Sequence, residues 1–246
     1  MIGTPPRLPV GYRLDHRTIV GSTNDEAKIL ARGGAPTGTL VWADGQTAGR
    51  GRRGRNWVSA PGNLYLSLIQ RPSGTPARAA QLGFIAAIAV ADALPAASRL
   101  KWPNDVLLDG RKLSGILLES ETGLAGSLDF VVIGIGINIL SAPTSVEFPA
   151  TCLAEAGITN VIPADLLETL VAHFDTWLRR WGHDGFAPIR SAWLARANGL
   201  GDMIRVRLDR ETLEGRFLDL DENGALVLET RMGMRHITAG AVFPAT

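Results

Sequence analysis

The chain has 246 residues, 46% of them hydrophobic, which is enough for one substantial domain with or without a smaller companion. Its 25 Lys and Arg residues nearly balance its 24 Asp and Glu residues, so the net charge of +1 excludes a global field that attracts nucleic acid or anionic lipid. The single Cys152 excludes an intramolecular disulfide, and the four histidines show no spacing typical of a metal-ligand cluster.

The amino-terminal segment and the apolar runs favour a soluble cytoplasmic protein. The start of the chain, MIGTPPRLPVGYRLDH, has no apolar stretch of signal-peptide length. The most apolar run, residues 82–91, is shorter than the roughly 20 residues that cross a membrane. We therefore expect no association with membranes.

The first part of the chain predicts a mixed sheet with helices. A capping-box pattern, Thr23 followed by Glu26, opens a helix predicted over 22–34, which Gly33 and Gly34 end. Period-2 alternation and apolar runs predict the strands, and an Ala, Leu and Ile-rich stretch predicts a buried helix. The strands are predicted over 39–44, 63–69, 99–108, 113–120 and 128–139, and the buried helix over 77–94.

The last part of the chain predicts helices followed by a small β-domain. Pro163 opens a helix to about residue 181, and a second helix is predicted over 186–197. From Asp202 onward, short alternating strands surround an Asn223-Gly224 hairpin turn, which is typical of a small barrel. We therefore predict a main domain over 1–198 and a separate barrel over 199–246.

The segment between the first two predicted strands has an unusual composition. Residues 49–57, GRGRRGRNW, hold four arginines and three glycines before position 56. Glycine lets backbone N–H groups approach an anion closely, and guanidinium forks match phosphate and carboxylate oxygens. The segment therefore predicts a site where two negative reactants meet.

Other interpretations of this segment are weighed against that one. Its G-x-G-x-x-G match would indicate a dinucleotide site, but a strand follows instead of a helix, and no acidic residue lies near position 70. A phosphate-binding G-x-x-x-x-G-K-[ST] loop does not occur in the sequence. A nucleic-acid-binding arginine segment and a solvated basic surface loop both stay open on this segment alone.

Six stretches, taken together and in order, resemble the biotin protein ligase family. They are GSTNDEA at 21–27, GQTAGRGRRGRNW at 45–57, GNLYLS at 62–67, KWPNDV at 101–106, KLSGILLE at 112–119 and GIGINI at 134–139. Each alone has an ordinary explanation, such as a helix cap, a hairpin or a bulge, whereas the set is specific. The resemblance extends to GALVLE at 224–229 and implies an α+β fold: a mixed sheet flanked by helices, related to class II aminoacyl-tRNA synthetases, then an SH3-like barrel.

The resemblance implies an ATP-dependent enzyme that activates biotin as biotinyl-5′-AMP. Biotin would then pass to a lysine of a biotin carboxyl carrier protein of acetyl-CoA carboxylase or a related carboxylase. ATP and biotin are the implied substrates, and Mg²⁺ is expected with the triphosphate. Only 21 residues precede Ser22, so we expect a monofunctional ligase without the family's DNA-binding domain, and a homodimer stays open.

The resemblance also implies roles for individual residues. The implied biotin-binding set is Ser22, Thr23, Asn24, Gln46, Arg50, Gly51, Arg52, Lys112 and Gly115. The implied ATP-binding set is Arg50, Arg52, Arg53, Arg55, Trp57, Lys112 and Asn138. Arg52 and Lys112 are the implied catalytic cations, and Asp105 would orient the incoming amine or a cation. Trp57 either stacks on adenine or is a core tryptophan, and no metal ligand is assigned.

Two rival functions remain as alternatives. A lipoate ligase or octanoyltransferase would share the fold, but those relatives lack the G-R-G-R-x-G-R run. Cys152 does not lie in a nucleophile context that would support a cysteine acyltransferase. A non-enzymatic alternative is an RNA-binding protein that uses the Arg/Gly segment. For the ligase, we expect residues 49–56 to close over the intermediate and exclude water.

Overall fold

The computed structural model describes residues 5–123, 127–144 and 146–245. A seven-stranded mixed sheet flanked by helices is followed by a five-stranded antiparallel sheet. The mixed sheet with flanking helices that the sequence predicts is confirmed. Within these residues, no helix combines the length and the apolar character that crossing a bilayer requires.

The main sheet has the order β1-β2-β3-β7-β6-β5-β4. Its strands are β1 (Arg13–Val20), β2 (Thr39–Gln46), β3 (Leu64–Gln70), β4 (Arg99–Lys101), β5 (Asp105–Leu108), β6 (Arg111–Thr122) and β7 (Leu128–Ile137). The β1–β2 pair is parallel, and the other neighbouring strands are antiparallel. The central strands β3 and β7 have largely apolar sequences because helices cover both of their faces.

The described residues form five α-helices, which lie on the two sides of this sheet. They are α1 (Thr23–Arg32), α2 (Pro76–Ala80), α3 (Leu82–Ala93), α4 (Pro163–Asp184) and α5 (Ala187–Leu194). Helix α1 packs on one face through Ala27 and Ala31, which meet Phe130 and Val132 of β7. The opposite face, including Ile133, packs against the largely apolar α3 and the helices around it.

The side chains of β7 alternate between the two faces of the sheet, and this alternation places an opening on the face that α1 covers. Phe130 and Val132 face α1, so Gly134 and Gly136, two and four residues further on, lie on the same face. They carry no side chain to fill the space at the amino-terminal end of α1. The sequence thus leaves a hollow on this face of the sheet.

The structure differs from the prediction at three elements. Strand β1 was not predicted, because it is an edge strand whose largely exposed side chains lack clean alternation. The strand predicted over 99–108 is instead the antiparallel pair β4 and β5, because Pro103 has no N–H to donate and falls in the turn. The helix predicted over 77–94 is divided into α2 and α3 at Gln81.

The predicted capping box at the start of α1 is also wrong. Ser22 is the N-cap residue and makes no side-chain capping bond. Thr23 is the first helical residue, and its hydroxyl hydrogen-bonds Gln46 and Ser67. The side chain that would cap the helix is therefore used in a tertiary network. The predicted stop is confirmed, because α1 ends at Gly33 and Gly34 has φ +87°.

The carboxy-terminal sheet has the order β11-β10-β9-β8-β12. Its strands are β8 (Met203–Arg207), β9 (Thr212–Leu220), β10 (Leu226–Thr230), β11 (Gly233–Ile237) and β12 (Ala241–Pro244). Among the described residues the edge strands β11 and β12 do not pair with each other, so the sheet is open where the sequence predicted a barrel. Trp102 Nε1 donates to Gly224 O at 3.1 Å, which attaches this sheet to the main one.

Candidate active site

A cleft of about 210 Å³ opens over the glycine-bearing part of the main sheet. Its floor includes Gly134 and Gly136 of β7 and Gly115 of β6, and Gly115 lies opposite Gly136 in the β6–β7 register. The walls come from the start of α1, the 50–58 loop, the turn between β4 and β5, part of the segment after β7, and β12. Elements that are distant in sequence thus enclose one space.

Nearly all of the predicted site residues line this cleft. They are Ser22, Thr23, Asn24, Gln46, Arg50, Gly51, Arg52, Arg55, Trp57, Asp105, Lys112, Gly115 and Asn138. Arg53 does not line it. Its backbone adopts a left-handed φ of 56°, and its guanidinium pairs with Asp209 of the carboxy-terminal sheet at 2.8 Å. Arg53 therefore ties the loop to the second sheet.

At the polar end of the cleft, Gln46 is held in one orientation. The backbone N–H of Thr23 donates to Gln46 Oε1 at 2.8 Å, and the Thr23 hydroxyl lies 3.1 Å from the same oxygen. The amide nitrogen of Gln46 donates to Ser59 Oγ at 2.9 Å. Because both ends of the amide have partners, the orientation of the Gln46 side chain is fixed.

Asn24 is fixed in the same way by two residues that the sequence analysis did not identify. Its amide nitrogen donates to Glu119 Oε2 at 2.6 Å, which directs its oxygen toward Ser67 Oγ, also at 2.6 Å. Ser67 Oγ is in addition 2.8 Å from Thr23 Oγ1. The hydroxyls of Thr23 and Ser67 and the oxygen of Asn24 thus form a continuous hydrogen-bonded chain, in which Ser67 can accept from Thr23 while it donates to Asn24. Each of these oxygens has a further lone pair, which could accept from an N–H group of a ligand.

Glu119 remains ionised at the base of this network. Burial alone would raise the pKa of Glu119, but the hydrogen bonds from Asn24 and Lys28 outweigh it, and the pKa is lowered. The Gly134 position makes room for Asn24, because a β-carbon there would be 2.3 Å from Asn24 Oδ1. The polar end thus depends on an ionised carboxylate and on a missing side chain.

The Arg/Gly loop forms a compact hairpin beside the cleft. Gly51 N donates to Arg55 O at 2.7 Å, and Trp57 N donates to Gly49 O at 2.9 Å. A β-carbon on Gly49 would be 2.6 Å from Trp57 O, so only glycine fits there. The hairpin brings Arg50, Arg52 and Arg55 to the cleft, and its last residue, Trp57, lies half-buried against the floor.

The cationic end of the cleft contains two lysines that share one carboxylate. Lys112 Nζ lies 2.5 Å from Asp105 Oδ1, and Lys101 Nζ lies 3.5 Å from Asp105 Oδ2. Lys101 is nearly inaccessible to solvent and stacks on the Phe148 ring, with Nζ 4.2 Å from the centroid. Burial lowers the pKa of Lys101 from its ordinary value. Lys112 is more exposed and therefore freer to reach a ligand.

Arg52 lies where the main sheet, the loop and the second sheet meet. Its Nη1 is 3.4 Å from Asn104 Oδ1 and 3.5 Å from Gly240 O, so both contacts are long. Burial and then the neighbouring Arg53 lower the pKa of Arg52, but a guanidinium stays charged in a protein. Arg52 is thus a cation with unused donor capacity facing the cleft.

The segment after β7 closes one side of the cleft. Asn138 is buried, and its amide donates to Thr151 O at 3.0 Å, so it holds this segment onto the end of β7. Further along the segment, Glu147 forms a two-bond ion pair with Arg207 of β8, at 2.6 and 2.7 Å. The second sheet therefore contacts two borders of the cleft, through Asp209 of the β8–β9 turn on one side and Arg207 on the other.

Several residues at the site were missed by the sequence analysis. They are Asp25, Ser59, Ser67, Lys101, Asn104, Glu119, Glu147 and Phe148, together with Gly240, Ala241 and Phe243 of the second sheet. The period of two places Glu119 on the same face of β6 as Gly115, but only the pairing of β3, β7 and β6 brings Glu119 and Ser67 to the site. Nothing in the local pattern indicates the residues of β12.

Both the sequence and the fold of this chain are similar to those of known proteins. Residues 18–138 match the biotin/lipoate A/B protein ligase family, and residues 199–243 match the biotin protein ligase C terminal domain. The chain is 44% identical to a Paracoccus denitrificans biotin–[acetyl-CoA-carboxylase] ligase, with 90% of this chain and 96% of that protein covered. It is 35% identical to the Mycobacterium tuberculosis ligase of the same name, with 94% and 89% covered. The fold is similar to a biotin protein ligase from Aquifex aeolicus in complex with biotin and ATP, with a TM-score of 0.82, 27% identity, and 95% and 99% covered.

Proposed function

The chain belongs to the biotin protein ligase family, and we propose that the cleft described above is where it binds biotin and ATP. The reaction is ATP-dependent ligation of biotin. The biotin carboxylate attacks the α-phosphate of ATP, pyrophosphate leaves, and biotinyl-5′-AMP forms. A lysine amine of a biotin carboxyl carrier protein then attacks the acyl carbon, and AMP leaves.

One observation carries the proposal: a polar end lined by hydroxyl and amide side chains and a cationic end lie in the same cleft. Biotin has a ureido head with N–H donors and a C=O acceptor, and a carboxylate at the end of an apolar chain. The oxygens of the Thr23–Ser67–Asn24 network have lone pairs that can accept from a ureido N–H. A buried ureido group left without a partner would cost on the order of 1–3 kcal/mol, so the head fits this end of the cleft better than an apolar wall.

The cationic end would offset the repulsion between the two anionic reactants. We assign to Arg52 and Lys112 the contacts with the biotin carboxylate and the α-phosphate, because both face the cleft with donors to spare. Fixed cations at the point where phosphoryl charge accumulates favour the transition state over the separate reactants. Arg50 would contact the carboxylate, and Gly51 would let the backbone approach it closely.

For the second step, Asp105 is the carboxylate placed to orient the lysine amine. It lies in the cleft between the two lysines, and its oxygens are hydrogen-bond acceptors. The contacts with Lys101 and Lys112 fix its position. Once Lys112 has moved to the α-phosphate, Asp105 Oδ1 becomes available to an incoming ammonium or amine.

On the nucleotide side, we assign to Arg55 and Asn138 a role in binding ATP. Trp57 either stacks on the adenine or forms a wall of the cleft, and experiment has to distinguish these two roles. Asn138 acts through the segment that it holds, since its amide is already bonded to Thr151 O. For Arg53 we favour an anchoring role over the predicted nucleotide contact, because it is paired with Asp209 and lies off the cleft.

Mg²⁺ would enter with the triphosphate rather than occupy a resident site. No group of three or more His, Cys, Asp or Glu side chains is arranged for a metal ion in the part of the chain that the structure describes. Asp105 and Glu147 are the carboxylates lining the cleft, and a magnesium ion needs only one or two besides phosphate oxygens. The ion would neutralise charge on the departing pyrophosphate.

We infer the acceptor protein from the family and the cellular compartment from Cys152. The family implies a biotin carboxyl carrier protein as acceptor. We propose the reducing cytoplasm as the location, because Cys152 is a buried free thiol. No DNA-binding role is proposed for the described residues, and sedimentation with and without biotin and ATP would reveal a homodimer.

The decisive experiment combines the purified chain, biotin, Mg-ATP and a carrier domain, followed by intact mass measurement of the carrier. We expect one biotin-sized mass increment, lost when ATP is omitted or when the acceptor lysine of the carrier is replaced by arginine. Parallel reactions with lipoate or octanoate test the rival acyl transfer. An increment with lipoate but not with biotin would overturn the proposal.

A further inference from the structure

Arg50 is already bound to a carboxylate of the protein itself. Its two terminal nitrogens donate to the two oxygens of Asp25, each at 2.6 Å, in the fork geometry that guanidinium groups use for carboxylates. Asp25 lies in the first turn of α1, while Arg50 lines the cleft. The proposed ligand of Arg50 is also a carboxylate, so Asp25 and the substrate compete for the same group.

The surroundings of this pair allow Arg50 to leave at little cost. Lys28 Nζ lies 3.1 Å from Asp25 and 3.0 Å from Glu119, and Arg50 itself is 3.6 Å from Glu119. If Arg50 turns to a ligand, Asp25 keeps Lys28, and Glu119 keeps both Lys28 and Asn24. Neither carboxylate is left without a partner. The hydrogen bonds from Arg50 are the main reason that the pKa of Asp25 is lowered to about 2, and they outweigh burial, which raises it. Asp25 therefore stays anionic near neutral pH.

We propose that Asp25 is a positioning residue that holds Arg50 while the cleft is empty and exchanges it with the carboxylate of the acyl substrate. This inference rests on the proposed function and deepens it. When the substrate carboxylate becomes an acyl phosphate anhydride, it loses its full negative charge, and Asp25 regains Arg50. Asp25 thereby limits how strongly the reactant carboxylate is stabilised, since binding that favours only the ground state does not speed the reaction.

The test compares biotin with its alcohol analogue, in which CH₂OH replaces the carboxylate. In Asp25→Asn the side chain keeps its shape and loses its charge, so biotin should bind about 3- to 10-fold more tightly by calorimetry, the range expected for a half-exposed bidentate pair. The alcohol analogue does not need Arg50, and its Kd should not change. Asp25→Glu keeps the anion and should return the biotin Kd toward the wild-type value.

A matched control is an ion pair between α1 and the neighbouring strand β6. Glu121→Gln removes the ion pair between Arg32 of α1 and β6, which does not involve Arg50, and should leave both dissociation constants unchanged. Thermal melting confirms folding, and Asp25→Ser, which also removes the charge, replaces Asp25→Asn should the latter fail to fold. Weaker biotin binding in the charge-removed variant, or equal shifts for both ligands, would overturn the inference. Absence of biotin transfer by the wild-type chain would instead overturn the proposed function.

Discussion

The indole of Trp57 lies directly against the backbone of Gly136. A β-carbon built on Gly136 would be 2.5 Å from Trp57 Cε2, and one built on the opposite Gly115 would be 2.9 Å from Trp57 Cζ3. Among the described residues, none accepts a hydrogen bond from the buried Trp57 Nε1. The two glycines therefore form a seat for the ring, and the ring in turn forms part of the cleft.

Gly136→Ala should displace this ring without disturbing the sheet, because Gly136 does not adopt a positive φ. The new methyl group overlaps the indole, which has to move into the cleft or away from it. We expect biotinyl-5′-AMP formation to fall at least about 10-fold, since misplacing a reactant by about 1 Å can cost more than that. Pyrophosphate release measures the rate, and tryptophan fluorescence reports the movement.

Gly182→Ala is the matched control for that substitution. Gly182 lies within α4, and a β-carbon there would meet nothing within 4 Å. Activity should stay at the wild-type level, while the free energy of unfolding should rise by about 0.5–1 kcal/mol, the helical advantage of alanine. A Gly136→Ala variant with the wild-type rate would show that the seat of Trp57 does not matter.

Lys112→Ala should remove biotin-dependent ATP–pyrophosphate exchange by roughly 100-fold or more, because the fixed charge opposite the phosphoryl oxygens is lost. Arg111→Ala is the control, since Arg111 pairs with Glu155 away from the cleft and should change the rate less than about 2-fold. Salt-sensitive RNA binding that persists in Lys112→Ala, in a chain without exchange activity, would favour the RNA-binding alternative.

Residues 49–56 should exchange amide hydrogen rapidly in the free chain and slowly with biotin and Mg-ATP bound. The hairpin is held by few backbone bonds and by long contacts such as Arg52 Nη1 to Gly240 O at 3.5 Å. Ligand phosphates would add partners for its arginines and N–H groups. Residues 131–137 of β7 serve as the internal reference. Equal protection of the hairpin in both states would argue against a closing loop.

The ion pair between Glu147 and Arg207 should position the segment that borders the nucleotide side. Arg207→Glu places two like charges together, and we expect the KM for ATP to rise about 3- to 10-fold with the Kd for biotin unchanged. The swapped double variant, Arg207→Glu with Glu147→Arg, should recover at least half of that loss on a logarithmic scale. Additive losses in the double variant would contradict a direct coupling.

Asp25 should make stability depend on pH in a defined direction. Its pKa in the folded chain is about 2, below the ordinary 3.8, so its contribution is full above pH 3.8 and is lost as the pH falls toward 2. The carboxylate is partly exposed, and solvent screening limits the effect to less than about 1 kcal/mol. The difference in urea stability between wild type and Asp25→Asn should be larger at pH 7 than at pH 3; the reverse order would be inconsistent with a depressed pKa.

Strong periodicity explains which elements the sequence predicted. The runs of β3, β6 and β7 and the amphipathic α4 bury long apolar faces, so their pattern reflects the core directly. The edge strand β1 buries little and escaped prediction. Thr23 illustrates the opposite error, because a correct local pattern for a capping box was overridden by the tertiary bonds to Gln46 and Ser67.

The residues of the candidate site were also predicted only in part. The motifs placed Arg52, Lys112 and Asp105 in one set before any fold was known, and the structure brings them to one cleft. Ser67 and Glu119 are single polar residues inside strands, and only the β3–β7–β6 pairing places both beneath the start of α1. A lone serine or glutamate carries no such information in a linear pattern.

The chemistry of the site residues and the periodicity that selects helices and strands can be read from the sequence, because helix and strand preferences are local. Only in the folded chain does Asp25 hold Arg50, does Arg53 reach Asp209, and does Gly240 border the cleft beside Arg52, 188 residues away. Such contacts depend on how whole sheets pack, which no short window of sequence encodes. The cleft is therefore a property of the packed layers, although its chemistry is already present in the sequence.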